Sequence, residues 1–413
     1  MASTLIKNIK LLAGVRDDNF LLKGKQMAKL STIDDAFLIL QDESIAAYGR
    51  MYDFVYRNSD FSRQVDAKGQ IVLPTWCDSH THLVFPGSRE TEFIDKIKGA
   101  SYAEIAAKGG GILNSAKKLN EISEYELFHL ACDRLDEISK LGTGAVEIKS
   151  GYGLSVEGEL KMLRVIKKLK EKSHVSIKAT FLGAHAYPLE YKDNHQGYID
   201  LIIEQMLPVI AHEKLADYID VFCENGFFSP EETETICKAG IRYGLKPKIH
   251  ANQLSLSGGV QLGVKLGAVS VDHLETMNEE TINMLADSDT IGTLLPTAAF
   301  FLRMPFQPAR KLIDAGCAVA LASDYNPGSS PSGNMNLVIA MSCIQMKMSP
   351  EEAINAATIN GAYAMGVERE VGSITVGKKA NLIFTKPIPS LAYLPYAFGS
   401  NLVDKVMIQG SFI

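Results

Sequence analysis

The sequence predicts an α/β fold: a (β/α)8 TIM-type barrel joined to a small β-sandwich domain built from both chain termini. Three observations carry that expectation. Eight short apolar runs recur along the middle of the chain, helical patterns alternate with them, and both ends carry antiparallel strand patterns instead. A chain of 413 residues accommodates one barrel of about 250 to 300 residues and a smaller domain.

In chain order the apolar runs are Ile71–Phe85, Gly144–Gly151, Ser176–Ala186, Tyr218–Phe228, Pro247–Leu254, Ala268–Leu274, Thr290–Pro296 and Ala318–Asn326. Strands buried on both faces read as continuous apolar runs, as parallel strands do. Glu157–Lys172, Pro230–Tyr243 and Gly259–Leu266 supply helices between them. Ala36–Ile45, Gly372–Thr385 and Lys405–Ile413 look like antiparallel strand material and are too apolar for disordered tails. The expected division is therefore a composite β domain from 1–70 plus 371–413, and a barrel from 71–370.

Composition narrows the class. Hydrophobic residues make up 46% and charged residues 22%, ordinary for a globular protein. A net charge of −6 without a basic run argues against nucleic acid as a partner. No apolar run approaches the roughly 18 residues of a membrane span, and Met1–Lys10 does not read as a signal peptide. The cysteines Cys77, Cys132, Cys223, Cys237, Cys317 and Cys343 are scattered, with no CxxC pair. Reduced thiols in a cytoplasmic protein are the expectation. Oligomeric state is not readable, although the apolar content is compatible with a homodimer.

Chemistry concentrates at strand ends. Asp78-Ser79-His80-Thr81-His82 closes the first run, and residues i and i+2 of a strand point the same way. His80 and His82 can thus aim at one point. Two histidines in a loop are the bland alternative. His250 lies in the fifth run and Asp324 in the eighth, and three imidazoles with one carboxylate make a Zn²⁺ or Fe site with room for water. His185 ends the third run and His273 the sixth. His129, His174, His195 and His212 read as surface residues.

Together these residues resemble the mononuclear sites of the amidohydrolase superfamily. Three segments narrow the resemblance to the imidazolonepropionase family: Val146–Leu154 (VEIKSGYGL), Phe181–His185 (FLGAH) and Asp324–Pro331 (DYNPGSSP). The resemblance covers nearly the whole chain. It implies hydrolysis of 4-imidazolone-5-propanoate to N-formimidoyl-L-glutamate, the third step of histidine degradation. It implies one Zn²⁺ or Fe held by His80, His82, His250 and Asp324. A bound cation lowers the pKa of its water from about 16 toward about 7. The small-molecule substrate is an anion with a propionate tail, and Arg89 would pair with it, although a surface arginine is the commoner fate of that residue type. Tyr152, His185, Asn326, Gly328 and Ser329 would contact the substrate, the last three through a loop that offers backbone N–H groups.

One position departs from the superfamily pattern. Related enzymes often place a Glu three residues after the fifth-strand His, whereas here that residue is Gln253. An amide cannot act as a carboxylate base, so Gln253 is expected to orient the substrate ring. His273 and Asp324 are then the candidates for moving the proton. Asp272 would either orient its neighbour His273 or cap a helix. A deaminase of a cyclic amidine or purine would share the scaffold and the metal. Arg89 and Gln253 weigh against it, since a neutral base needs no cation and a deaminase wants a Glu. A scaffold protein that had lost its chemistry is the reading from another class, and the intact ligand set counts against it. A binuclear site commonly needs a carboxylated lysine on the fourth strand. Tyr218–Phe228 contains none, and Lys149 lies on the second.

Overall fold

A computed structural model describes residues 3–99 and 110–413. Five strands precede the barrel: β1 (Ser3–Ala13), β2 (Thr32–Gln41), β3 (Ser44–Arg50), β4 (Arg63–Asp66) and β5 (Ile71–Pro74). The barrel strands are β6 (Trp76–Thr81), β7 (Thr143–Lys149), β8 (Ser176–Ala184), β9 (Tyr218–Cys223), β10 (Lys246–Ala251), β11 (Ser270–His273), β12 (Ile291–Leu294) and β13 (Val319–Leu321). Three follow it: β14 (Leu382–Thr385), β15 (Val403–Ile408) and β16 (Ser411–Phe412).

Strands β6 to β13 pair in parallel in chain order. The ring closes where Asp324 N donates to His80 O at 3.0 Å and His82 N to Tyr325 O at 2.9 Å. Closure thus brings the His80–His82 strand end and Asp324 together through the backbone itself. The expected helices form at Val156–Lys172, Pro230–Arg242 and Gly259–Lys265. Ser155 caps the first through Gly158 N, and a reciprocal Ser229–Glu232 box opens the second.

Both chain ends contribute to the other sheet, in the order β16-β15-β14-β5-β1-β2-β3, with β4 beside β1. It curls over its own core of Ile6, Ile9, Leu38, Leu40, Leu382 and Phe384. The curl is fastened where Ile45 N donates to Lys378 O at 2.9 Å and Ala380 N to Glu43 O at 2.8 Å. Of Gly372–Thr385 only the last four residues are strand, and the rest wraps the junction, with Ile374 N donating to Gly14 O at 2.8 Å.

The first apolar run, Ile71–Phe85, divides between the two sheets. Residues 71–74 pair with β1 and β14, so the start of the expected barrel segment belongs to the terminal sheet. The crossing falls at Thr75, whose N donates to Asn381 O at 3.1 Å, while Trp76 N donates to Gly142 O at 2.9 Å. An unbroken apolar run does not reveal which partner each half takes, because pairing is decided by strands far away in sequence.

Candidate active site

Five histidines meet at the C-terminal end of the barrel. His80, His82, His250 and His273 are buried and His185 is partly buried. The ring centroids of His80 and His250 lie 4.5 Å apart, and those of His82 and His185 stack at 5.2 Å. The other four, His129, His174, His195 and His212, are exposed.

Ligand atoms of His80, His82 and His250 lie within 4.8 Å of one another, as do those of His80, His273 and Asp324. Asp324 Oδ1 is 3.5 Å from both His80 Nε2 and His82 Nε2. His80 Nε2, His82 Nδ1 and His250 Nε2 are buried without a hydrogen-bond partner. Orphaned buried nitrogens are costly unless something accepts their lone pairs. Converging imidazoles beside a carboxylate fit a metal cation.

The outward nitrogens lie beside carboxylates. His80 Nδ1 is 2.6 Å from Asp272 Oδ2, and His250 Nδ1 is 2.9 Å from Asp220 Oδ2. Asp272 therefore supports His80 rather than its neighbour His273 or a helix end. Carboxylates so placed fix the ring orientation and leave Nε2 directed inward. Burial lowers the pKa values of His80 and His82 well below the ordinary range, so both imidazoles are neutral at neutral pH. Burial, aided by neighbouring His250, lowers His185 to about 3. Burial opposes charge on His273, yet Glu275 beside it raises its pKa on balance. The backbone bends sharply here, with φ of +88° at His273 and +52° at Asp324, a left-handed conformation that L residues adopt uncommonly.

Above the histidines opens a cavity of about 570 Å³. Its walls include every sequence-predicted substrate contact: Arg89, Tyr152, His185, Gln253, Asn326, Gly328 and Ser329. Phe222, Phe227, Leu254, Leu302 and Met304 supply apolar surface. Arg89 Nε donates to Glu92 Oε2 at 2.8 Å. A Cβ on Gly328 would lie 2.4 Å from Arg89 Nη1, so glycine there lets the guanidinium settle against the loop. Tyr152 is carried by a turn bracketed by Glu159, which accepts from Gly151 N, Gly153 N and Leu154 N at 3.0, 2.7 and 3.0 Å. Gly151, at φ +108°, brings its carbonyl within 3.0 Å of His185 Nδ1.

The loop after Asp324 differs from expectation. Gly328 N and Ser329 N both donate to Asn326 Oδ1 at 2.8 Å, so these N–H groups are already engaged by an Asx turn. Ser329 Oγ instead reaches Asp324 Oδ2 at 3.2 Å.

Beneath the site lies a group that sequence reasoning did not assemble: it passed over Glu147, Asp220 and Lys248, and gave Asp272 and Lys149 other readings. Glu147, Lys149, Asp220, Lys248 and Asp272 form a layer of charged side chains inside the barrel, each at most 1% exposed. Lys149 Nζ is 2.6 Å from Glu147 Oε1, 2.8 Å from Asp220 Oδ2 and 3.5 Å from Asp272 Oδ2. Lys248 donates to Glu147 Oε2. The signal was present as charges at alternate positions of apolar strands, Glu147-Ile148-Lys149 and Lys248-Ile249-His250. That alternation puts them on the ligands' side of each strand.

The amidohydrolase family model matches residues 227–413. The imidazolonepropionase of Flavobacterium johnsoniae is 61% identical over 411 residues, covering 99% of this chain and 100% of its own length. That of Christiangramia forsetii is 55% identical, covering 99% of each. That of Thermoanaerobacter pseudethanolicus is 43% identical, covering 93% of this chain and 91% of its own. Among solved structures, guanine deaminase of E. coli superposes with a TM-score of 0.74 at 12% identity, covering 100% of this chain and 99% of that one. A triazine hydrolase variant gives 0.74 at 15%, covering 99% and 94%, and at such identities both show the shared fold alone. The family and the histidine–aspartate cluster together indicate a metal ion. The chain belongs to the imidazolonepropionase family of the amidohydrolases.

Proposed function

We infer that the chain is a hydrolase that opens the cyclic amide of 4-imidazolone-5-propanoate to N-formimidoyl-L-glutamate, a step of histidine degradation. The observation that carries this reading is one cavity with a cluster of inward-facing ligand atoms at its floor and Arg89 on its wall. His80, His82, His250 and Asp324 would hold one ion, and three nitrogens with one oxygen suit Zn²⁺ or Fe. When bound, the ion would supply a water activated near neutral pH and polarise the ring carbonyl. A single ion is supported by Lys149, whose ammonium the Asp220 and Glu147 carboxylates hold above its usual range against the opposing effect of burial. An amine kept protonated has no lone pair with which to form a bridging carbamate.

Arg89 pairs with the propionate, and a guanidinium suits a carboxylate better than any other side chain. Gln253 donates to and accepts from the ring's polar edge, while Tyr152 and His185 flank it. Asn326, Gly328 and Ser329 shape the wall against which Arg89 rests. The phenylalanines and Leu254 exclude bulk water. His273, leaning on Glu275 through Nδ1 at 3.4 Å, moves a proton at Nε2: it takes one from the attacking water and delivers it to the ring nitrogen as the C–N bond breaks. Asp324 is the alternative proton carrier.

The test is a spectrophotometric assay of metal-loaded protein, following loss of the ring's ultraviolet absorbance, with Arg89→Ala alongside. We expect turnover in the wild type and a fall of about a hundredfold in kcat/KM in the variant, as for a buried charge pair losing one partner. A metal-loaded wild type that leaves the substrate intact would overturn the assignment.

A further inference from the structure

We propose that Lys149 is a positioning residue that locks the His80 and His250 sides of the metal site into a single unit. It touches neither the cavity nor a ligand nitrogen. Its ammonium has three donors and faces three carboxylate oxygens, at 2.6, 2.8 and 3.5 Å. Two of these oxygens are the very atoms that hold the ligand rings. Asp220 Oδ2 lies 2.8 Å from Lys149 Nζ and 2.9 Å from His250 Nδ1. Asp272 Oδ2 lies 3.5 Å from Lys149 Nζ and 2.6 Å from His80 Nδ1. The path from one imidazole to the other thus runs His80–Asp272–Lys149–Asp220–His250 through side chains that are all fully buried or nearly so.

The remaining anchors show what Lys149 joins. Ser270 Oγ donates to Asp272 Oδ1 at 2.5 Å, and His250 N donates to Asp220 Oδ1 at 3.1 Å. Each aspartate therefore has one oxygen fixed by its own neighbourhood and the other shared between Lys149 and a histidine. The third carboxylate, Glu147, is held from behind by Lys248 and by Thr180 Oγ1 at 2.7 Å. Without the ammonium, Asp220 on β9 and Asp272 on β11, two strands apart in the ring, would lose the cation they share, and their mutual repulsion would loosen both from their imidazoles. The two rings would lose their common aim.

This inference rests on His80 and His250 being metal ligands. The experiment measures the rate of metal release into a chromogenic chelator from wild type, Lys149→Met and Phe384→Ala. The last lies in the core of the terminal sheet and reports what loss of stability alone does. Lys149→Met should release metal roughly ten- to a hundredfold faster, the usual effect of losing ligand support, with Phe384→Ala at the wild-type rate. Release from Lys149→Met at the wild-type rate would overturn the proposal. Should Lys149→Met fail to fold, the cycle of Asp220→Asn, Asp272→Asn and the double variant decides on chains that keep Lys149. A departure of about fivefold or more from multiplicative release rates supports the lock, and multiplicative rates overturn it. A wild type that holds no metal would instead remove the ligand reading beneath it.

Discussion

The barrel sheet and the terminal sheet each contain eight strands, yet they enclose opposite materials. The terminal sheet closes over an apolar cluster that includes Ile6, Leu38, Leu40, Leu382 and Phe384. The barrel holds Glu147, Lys149, Asp220, Lys248 and Asp272 in an equally dry interior. Burying such charges is costly, and paired ions recover that cost only where geometry and hydrogen bonds are complete. A stable fold did not require them, as the neighbouring sheet demonstrates. What the barrel gains is a rigid support for inward-facing imidazoles. Chemistry and stability are thus divided between two sheets that meet at Thr75.

This contrast is open to attack at three points. The largest effect should come from Asp324→Asn, which keeps the shape but removes a ligand charge. Turnover should fall by about a thousandfold, several kcal/mol of transition-state stabilisation, with metal content dropping in parallel. Metal analysis beside the absorbance assay checks both, and retention of full activity would dissociate the barrel floor from the chemistry. Next comes Phe384→Ala, which opens a cavity in the terminal core and should cost about 3 to 5 kcal/mol in a denaturant titration. Unchanged activity of the folded fraction is expected, and a matching loss of kcat would show that the division is false. The smallest effect concerns pH. His80 and His82 have folded pKa values well below their unfolded ones. The stability they contribute is therefore fully present above the unfolded value of about 6.5 and is lost progressively as pH falls from there through the lower folded values. Equilibrium dialysis should find metal retention flat from neutral pH to about one unit below 6.5. A decline centred on the ordinary histidine range would mean that these ligands are wetter than their burial implies.

Much of this arrangement was legible in the residues. Apolar runs alternating with helices announce a parallel barrel, and histidines at the ends of such runs announce where its chemistry gathers. His80, His82, His250 and Asp324 needed nothing beyond strand period and strand order. What stayed hidden depends on contacts across the ring. Asp272 reads as the natural partner of adjacent His273, but the barrel turns it toward His80. Asp220 reads as one charge in Tyr-Ile-Asp-Val-Phe-Cys, and only closure reveals His250 and Lys149 on either side of it. Gly328 and Ser329 read as free donors because an Asx turn leaves little trace beyond the asparagine that makes it. Local pattern announces which residues face inward, whereas the identity of each partner is a property of the closed barrel.

The pairing of β5 between β1 and β14 bears on how the chain is made. Synthesis delivers β1 and β5 early, long before β14 leaves the ribosome. Until then β5 presents an open edge of unpaired backbone, the kind of surface that invites pairing with another chain. The whole barrel emerges during that interval, so the first strands of the terminal sheet wait for the last. Completion of that sheet is a late, long-range event that marks the arrival of the C-terminal strands.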